Sequence, residues 1–141
     1  MSRPLAQRVL FLCSLNRNRS PTAQKVFEMV PGIEVRSGGL DWGSAREATP
    51  DDLVWTDIIF IMERRHRTML GRKFGPALRG KNVVMLDIPD RFDPMQRELV
   101  ELLLCRVPQF LGVPVDVDVL RDSLKRGGLL SPFKPLLPSC W

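Results

Sequence analysis

A three-layer α/β fold, with helices on both faces of a four-stranded parallel sheet, follows from three features of the 141-residue sequence. Continuously apolar runs recur at strand length. Segments of helical period separate them, and Pro, Gly, Thr and Asp punctuate the joints. Strands alternating with helices imply right-handed crossovers and a sheet covered on both faces.

Each element has a local reason. Residues 8–13 (RVLFLC) form an uninterrupted apolar run, which marks a strand buried on both sides. Ser20 is a good N-cap and Pro21 a good first helical residue, so a helix starts there and runs to about Met29, where Pro31 and Gly32 stop it. Residues 33–38 (IEVRSG) make the second strand, and 40–50 (LDWGSAREATP) a loop. Thr49, Pro50 and Asp52 supply an N-cap, a proline at the first helical position and an acid at the third, opening a short helix to Trp55. Residues 57–62 (DIIFIM) are the third strand, a basic helix covers 64–74, and 81–88 (KNVVMLDI) are the fourth strand. After the loop 89–94 (PDRFDP), Asp93 caps a helix from Pro94 to Val107, with Leu99, Leu102, Leu103 and Arg106 at helical spacing. These elements place one domain over 1–108. The Pro- and Gly-rich stretch 109–141 is an extension with one short helix around 119–125. Two arrangements stay open for it: packing on the core through Leu129, Leu130 and Phe133, or a mobile tail.

Composition narrows the function. Hydrophobic residues are 44% of the chain, enough for a core without staples. No apolar run approaches the roughly 18 residues of a membrane span. The N-terminus has one short apolar run and no small-residue cleavage site, which predicts no signal peptide. Cys13, Cys105 and Cys140 are widely spaced and odd in number, which points to unpaired thiols in a reducing, cytoplasmic setting. Their spacing fits no zinc motif, and the single histidine, His66, argues against a His-based metal site; neither metal nor cofactor is expected. The net charge of +5 predicts an anionic partner or substrate. Basic residues gather at 62–73 (MERRHRTMLGRK) and 79–81 (RGK) without a nucleic-acid motif. Tyrosine is absent, and most Phe and Trp sit in apolar runs, which leaves few platforms for stacking bases.

In an open parallel sheet, ligands bind beyond the carboxyl ends of the strands. Cys13 ends the first strand, and residues 14–18 lead into a helix. Backbone N–H groups turning into a helix N-terminus make an anion site. Arg19 can fork onto two oxygens of a phosphate. Alone, Cys13 reads as a buried structural thiol. A free thiol is only about 3% ionised at pH 7, but one at a helix N-terminus beside an arginine is largely thiolate. Ser20 Oγ can donate to that anion, and a thiolate inside a phosphate cradle is poised to attack phosphorus.

The order Cys, five residues, Arg, then Ser-Pro, directly after a first strand and followed by Thr-Ala, resembles the low-molecular-weight protein tyrosine phosphatases, in particular a short prokaryotic branch. The segments SGGLDW, TDIIFIMERRHR and IPDRF resemble further parts of that family, and together the likeness covers about residues 7–107. It implies a flavodoxin-like strand order 2-1-3-4. It also implies Cys13 as nucleophile, Arg19 as phosphate clamp and Asp90 as general acid and then base. Ser14, Leu15, Asn16, Arg17, Asn18 and Ser20 would complete the phosphate-binding loop, with Ser20 stabilising the departing thiolate. Asn16 would hold a left-handed turn, His66 would support Asn16, and Trp42 and Phe92 would wall the substrate slot.

The chain also departs from that family's pattern. Asn18 stands where a second cysteine is usual, Leu15 where a glycine is, Arg17 where an apolar wall residue is, and Arg91 where a proline follows the acid. The paired tyrosines of the acid loop are reduced to Phe92 followed by Asp93. A slot edged by Arg17 and Arg91 favours a substrate carrying charge beyond its phosphate. The leading expectation is a phosphomonoester hydrolase acting on a phosphorylated protein or another phosphomonoester. An arsenate reductase would need shuttling cysteines close together, and a non-catalytic module binding phosphate or nucleic acid would rest on the charge alone. Oligomeric state is not legible.

Overall fold

The computed structural model describes residues 6–128. The chain alternates β1 (Gln7–Cys13), α1 (Arg19–Phe27), β2 (Ile33–Gly39), α2 (Pro50–Trp55), β3 (Ile58–Ile61), α3 (Arg64–Phe74), β4 (Asn82–Met85) and α4 (Arg97–Arg106), then closes with α5 (Val117–Arg126). The four strands are parallel in the order β2-β1-β3-β4, as the sequence implied.

Strand alternation explains why β1 reads as unbroken hydrophobicity. Successive side chains point to opposite faces. Val9, Phe11 and Cys13 join one apolar cluster with Ala23, Val26 and Phe27 of α1 and Leu99, Val100 and Leu103 of α4. Leu10 and Leu12 join the other with Leu53 of α2 and Leu70 and Phe74 of α3. Both faces are covered, so neither tolerates a polar residue. Phe11 lies at the centre of the first cluster, its ring stacked 5.7 Å from Phe27 and 5.1 Å from Phe60.

Element ends differ from the sequence reading where tertiary contacts override local signals. The first helix begins at Arg19, with Asn18 rather than Ser20 at the cap position; the Ser20 hydroxyl is drawn into the candidate site instead. The fourth helix begins at Arg97 with Gln96 at its cap, so Asp93 does not cap it. Met95 there adopts φ 59° and its N–H is bonded to Thr22 Oγ1 of α1 (2.9 Å), which holds the chain out of helix until Gln96. The fourth strand stops at Met85, ahead of Asp87, whose φ of 55° leaves the extended region; Arg106 Nη1 donates to the carbonyls of Leu86 (2.8 Å) and Asp87 (2.7 Å) there. By contrast, α2 is capped as read, with Asp52 N–H donating to Thr49 Oγ1 and Thr49 N–H to Asp52 Oδ2.

After Pro108 the chain returns to the same core. Leu120 and Leu124 of α5 are buried in the first cluster, and Arg121 forks onto the Glu101 carboxylate of α4 at 2.7 and 2.9 Å. Leu129, Leu130, Phe133 and Cys140 lie outside the described residues. The cysteines depart from expectation: Cys13 is free, but Cys105 is disulfide-bonded. Among the described residues, no helix is long and apolar enough to cross a membrane, and no group of His, Cys, Asp and Glu is arranged to hold a metal ion.

Candidate active site

Three loops converge beyond the carboxyl ends of β1, β3 and β4, where an open parallel sheet leaves room for a ligand. The first loop joins β1 to α1. Its carbonyls face the segment after β2: Cys13 O accepts from Leu40 N–H (2.9 Å), Ser14 O from Asp41 N–H (2.8 Å) and Leu15 O from Ala45 N–H (3.0 Å). In a trans peptide the next N–H points the opposite way. The N–H groups of Ser14, Leu15 and Asn16 are therefore turned away from that segment. Among the described residues, no protein acceptor takes the N–H groups of 14–18. Asn16 permits the turn with φ 53°. Gly39 permits the close approach, since a Cβ there would lie 2.0 Å from Ser44 Oγ and 3.0 Å from Ser14 O.

Cys13 Sγ lies 2.9 Å from Ser20 Oγ, in the first turn of α1. Asn16 Nδ2 donates to the same hydroxyl (2.9 Å). The Ser20 proton then has two acceptors in reach, Cys13 Sγ and, at 3.4 Å, Gly38 O. An ionised sulfur is the better acceptor.

Arg19 is 2% exposed. Its Nη1 donates to Glu63 Oε1 and to Ile88 O (2.8 Å), which anchors one arm of the guanidinium. Nε, at the other edge, lies 3.8 Å from Asp90 Oδ1. Glu63 was not singled out in the sequence. Only the fold brings it, from just past the end of β3, to Arg19. Burial alone would raise the Glu63 carboxyl, but hydrogen bonds from Arg65 and Arg19 and their charges more than offset it and hold the group below its ordinary value.

The third loop carries Asp90 and is pinned on both sides. Leu86 N–H and Ile88 N–H donate to Ile61 O and Met62 O (both 2.8 Å), and Met95 is tied to Thr22. Asp90 is 53% exposed, at the tip. Cys13, Ser14, Leu15, Arg17, Asn18, Arg19 and Asp90 line one cavity of about 210 Å³. Trp42 and Phe92 do not line it. Phe92 is 7% exposed, buried in the first core cluster beneath the Arg91 guanidinium, which sits 5.5 Å over its ring. Trp42 is 92% exposed.

His66 is fully buried, and its partner differs from the one expected. Glu63 N–H donates to Nδ1 (3.0 Å), so Nε2 carries the proton and donates to Ser14 Oγ (2.9 Å) rather than supporting Asn16. Burial, reinforced by the charges of Arg19 and Arg65, lowers its pKa to about 4. The neutral ring is thus built into the fold. Since the unfolded chain binds this proton near pH 6.5 and the folded chain only near 4, stability is full above 6.5 and is lost as pH falls towards 4. The loss is of the order of 3 kcal/mol. Urea midpoints at pH 7 and 4.5 should show it, and His66→Gln should flatten the difference.

Glu63→Gln isolates the arginine anchor. Without the carboxylate, buried Arg19 loses its counter-charge, and the unliganded protein should lose about 1–3 kcal/mol, below the full cost of a broken buried pair because Glu63 is partly exposed. Inorganic phosphate should restore more stability to Glu63→Gln than to the parent in thermal unfolding. An equal gain in both would dissociate Arg19 from anion binding.

No protein-family model and no curated protein sequence matches the chain. Solved structures do match it. Wzb of Vibrio vulnificus, in complex with benzylphosphonate, is 22% identical over 63% of this chain and 84% of its own, with a TM-score of 0.53. A low molecular weight protein tyrosine phosphatase from Streptococcus pyogenes is 17% identical over 60% of this chain and 76% of its own, with a TM-score of 0.52. The YwlE arginine phosphatase from Geobacillus stearothermophilus is 22% identical over 87% of this chain and 85% of its own, with a TM-score of 0.50.

Proposed function

We infer that this chain, which has the fold of the low-molecular-weight protein tyrosine phosphatases, is a cysteine-dependent phosphomonoester hydrolase. One observation carries the reading: a free thiol, a loop whose backbone N–H groups meet no protein acceptor among the described residues, an anchored arginine and a carboxylate line a single small cavity.

In the first step, Cys13 thiolate attacks phosphorus as the bond to the leaving oxygen breaks, and Asp90 gives that oxygen its proton. The loop N–H groups and the free edge of Arg19 hold the equatorial oxygens, where charge is spread in the transition state. In the second step, Asp90, now a carboxylate, takes a proton from water as it attacks the phosphocysteine. The sulfur–phosphorus bond breaks, the electron pair returns to sulfur, and Ser20 Oγ–H donates to the thiolate. Arg19 holds the substrate against the nucleophile throughout, and its Nε contact with Asp90 gives way to the phosphate.

Rapid quenching of the enzyme with p-nitrophenyl phosphate tests the reading. A burst of p-nitrophenol and a phosphoryl group on Cys13, found by mass spectrometry of the acid-quenched protein, are expected. Turnover with no phosphorylated Cys13 would replace the covalent route with direct attack by water.

A further inference from the structure

The cavity lining is polar, and its charges are unequally spent. Arg19 is engaged by Glu63, and so is Arg65, which also lies within the fields of Asp41 and Asp90. Arg17 also lines the cavity and is exposed, and no hydrogen bond or ion pair to it occurs among the described residues. Arg91, expected at the same edge, lies over Phe92 and outside the lining. A volume of about 210 Å³ is below the usual range for pockets that enclose a drug-sized ligand. It holds a phosphoryl group and little more. No aromatic side chain lines it to clasp a ring, so the rest of any substrate meets the mouth, where Arg17 is the uncompensated charge.

On the phosphatase reading above, we propose that Arg17 selects phosphomonoesters whose leaving group carries a second anionic group, a carboxylate or another phosphate, and disfavours leaving groups that carry a cation. The loop N–H groups and Arg19 satisfy the transferred phosphoryl group, which leaves Arg17 for the second anion. Its exposure sets the scale: a single screened pair of this kind is worth about a three-fold preference, fading as salt shortens the Debye length.

The test compares kcat/KM for phenyl phosphate, 4-carboxyphenyl phosphate and 4-(aminomethyl)phenyl phosphate in the full-length parent, Arg17→Gln and Arg17→Glu. Ratios between substrates within one enzyme remove any common loss of activity, and ratios between enzymes remove leaving-group reactivity. The parent should favour the carboxylate over the amine relative to Arg17→Gln, and Arg17→Glu should reverse the order. For the carboxylate measured against the uncharged phenyl ester, the span from parent to Arg17→Glu should be about ten-fold, two charge units' worth, and should collapse at high salt. Identical substrate ratios in all three enzymes, with turnover still dependent on Cys13, would overturn the role of Arg17 and leave the hydrolase standing. No turnover of any of the three esters by the parent would overturn both.

Discussion

Cys13→Ser is expected to lower p-nitrophenyl phosphate hydrolysis by about 10⁴-fold or more, the scale on which removing a covalent nucleophile registers. The substitution changes little else. A serine Oγ fits the space of the thiol and can keep the contact with Ser20 Oγ, so the loop should retain its shape. What it loses is ionisation. A hydroxyl needs a base beside it to attack, and none is at hand: His66 has Nδ1 occupied by Glu63 N–H and its Nε2 proton committed to Ser14. The variant should therefore bind inorganic phosphate, seen as a thermal shift close to that of the parent, without turning over. Equal rates in the two proteins would sink the phosphocysteine route.

Those contacts also show what the sequence could and could not reveal. The strands and helices were legible because burial on both faces leaves a continuous apolar run such as 8–13, and because a capping box such as Thr49–Asp52 is a local event. Strand order came from resemblance rather than from any local signal. The loop from Cys13 to Ser20 was legible as a unit because all its parts are consecutive. Partners contributed by distant segments were not. Glu63 lies 44 residues from Arg19, and Ser14 lies 52 from His66; nothing in either local sequence names the other. Ser20 misled in an instructive way. Its position before a proline advertises a helix cap, yet its hydroxyl is used by Cys13 and Asn16, and a local preference of about 1 kcal/mol gave way to that contact. Phe92, read as a wall of the slot, is as hydrophobic as a core position requires, and it is buried in the first core cluster.

Asp90→Asn should produce the second large effect, and its size should depend on the substrate. Loss of a general acid costs about 10²–10⁴-fold, but only where the leaving oxygen needs a proton. Phenyl phosphate should suffer the full loss. p-Nitrophenyl phosphate, whose phenolate departs readily as the anion, should lose far less in the first step. The second step changes that outcome, because the same carboxylate must then take a proton from water whatever the leaving group was. With the nitrophenyl ester, phosphocysteine should therefore accumulate in Asp90→Asn, with a nitrophenol burst approaching one per enzyme followed by slow turnover. The placement of Asp90 supports this division of labour. It stands at the half-exposed tip of a loop fixed at Leu86, Ile88 and Met95, so it can reach both water and the phosphate edge of Arg19 without the loop refolding. A uniform loss across both esters, with no burst, would show that Asp90 acts only by holding Arg19 and would return the search for the acid to the other carboxylates near the site, Glu63 and Asp41.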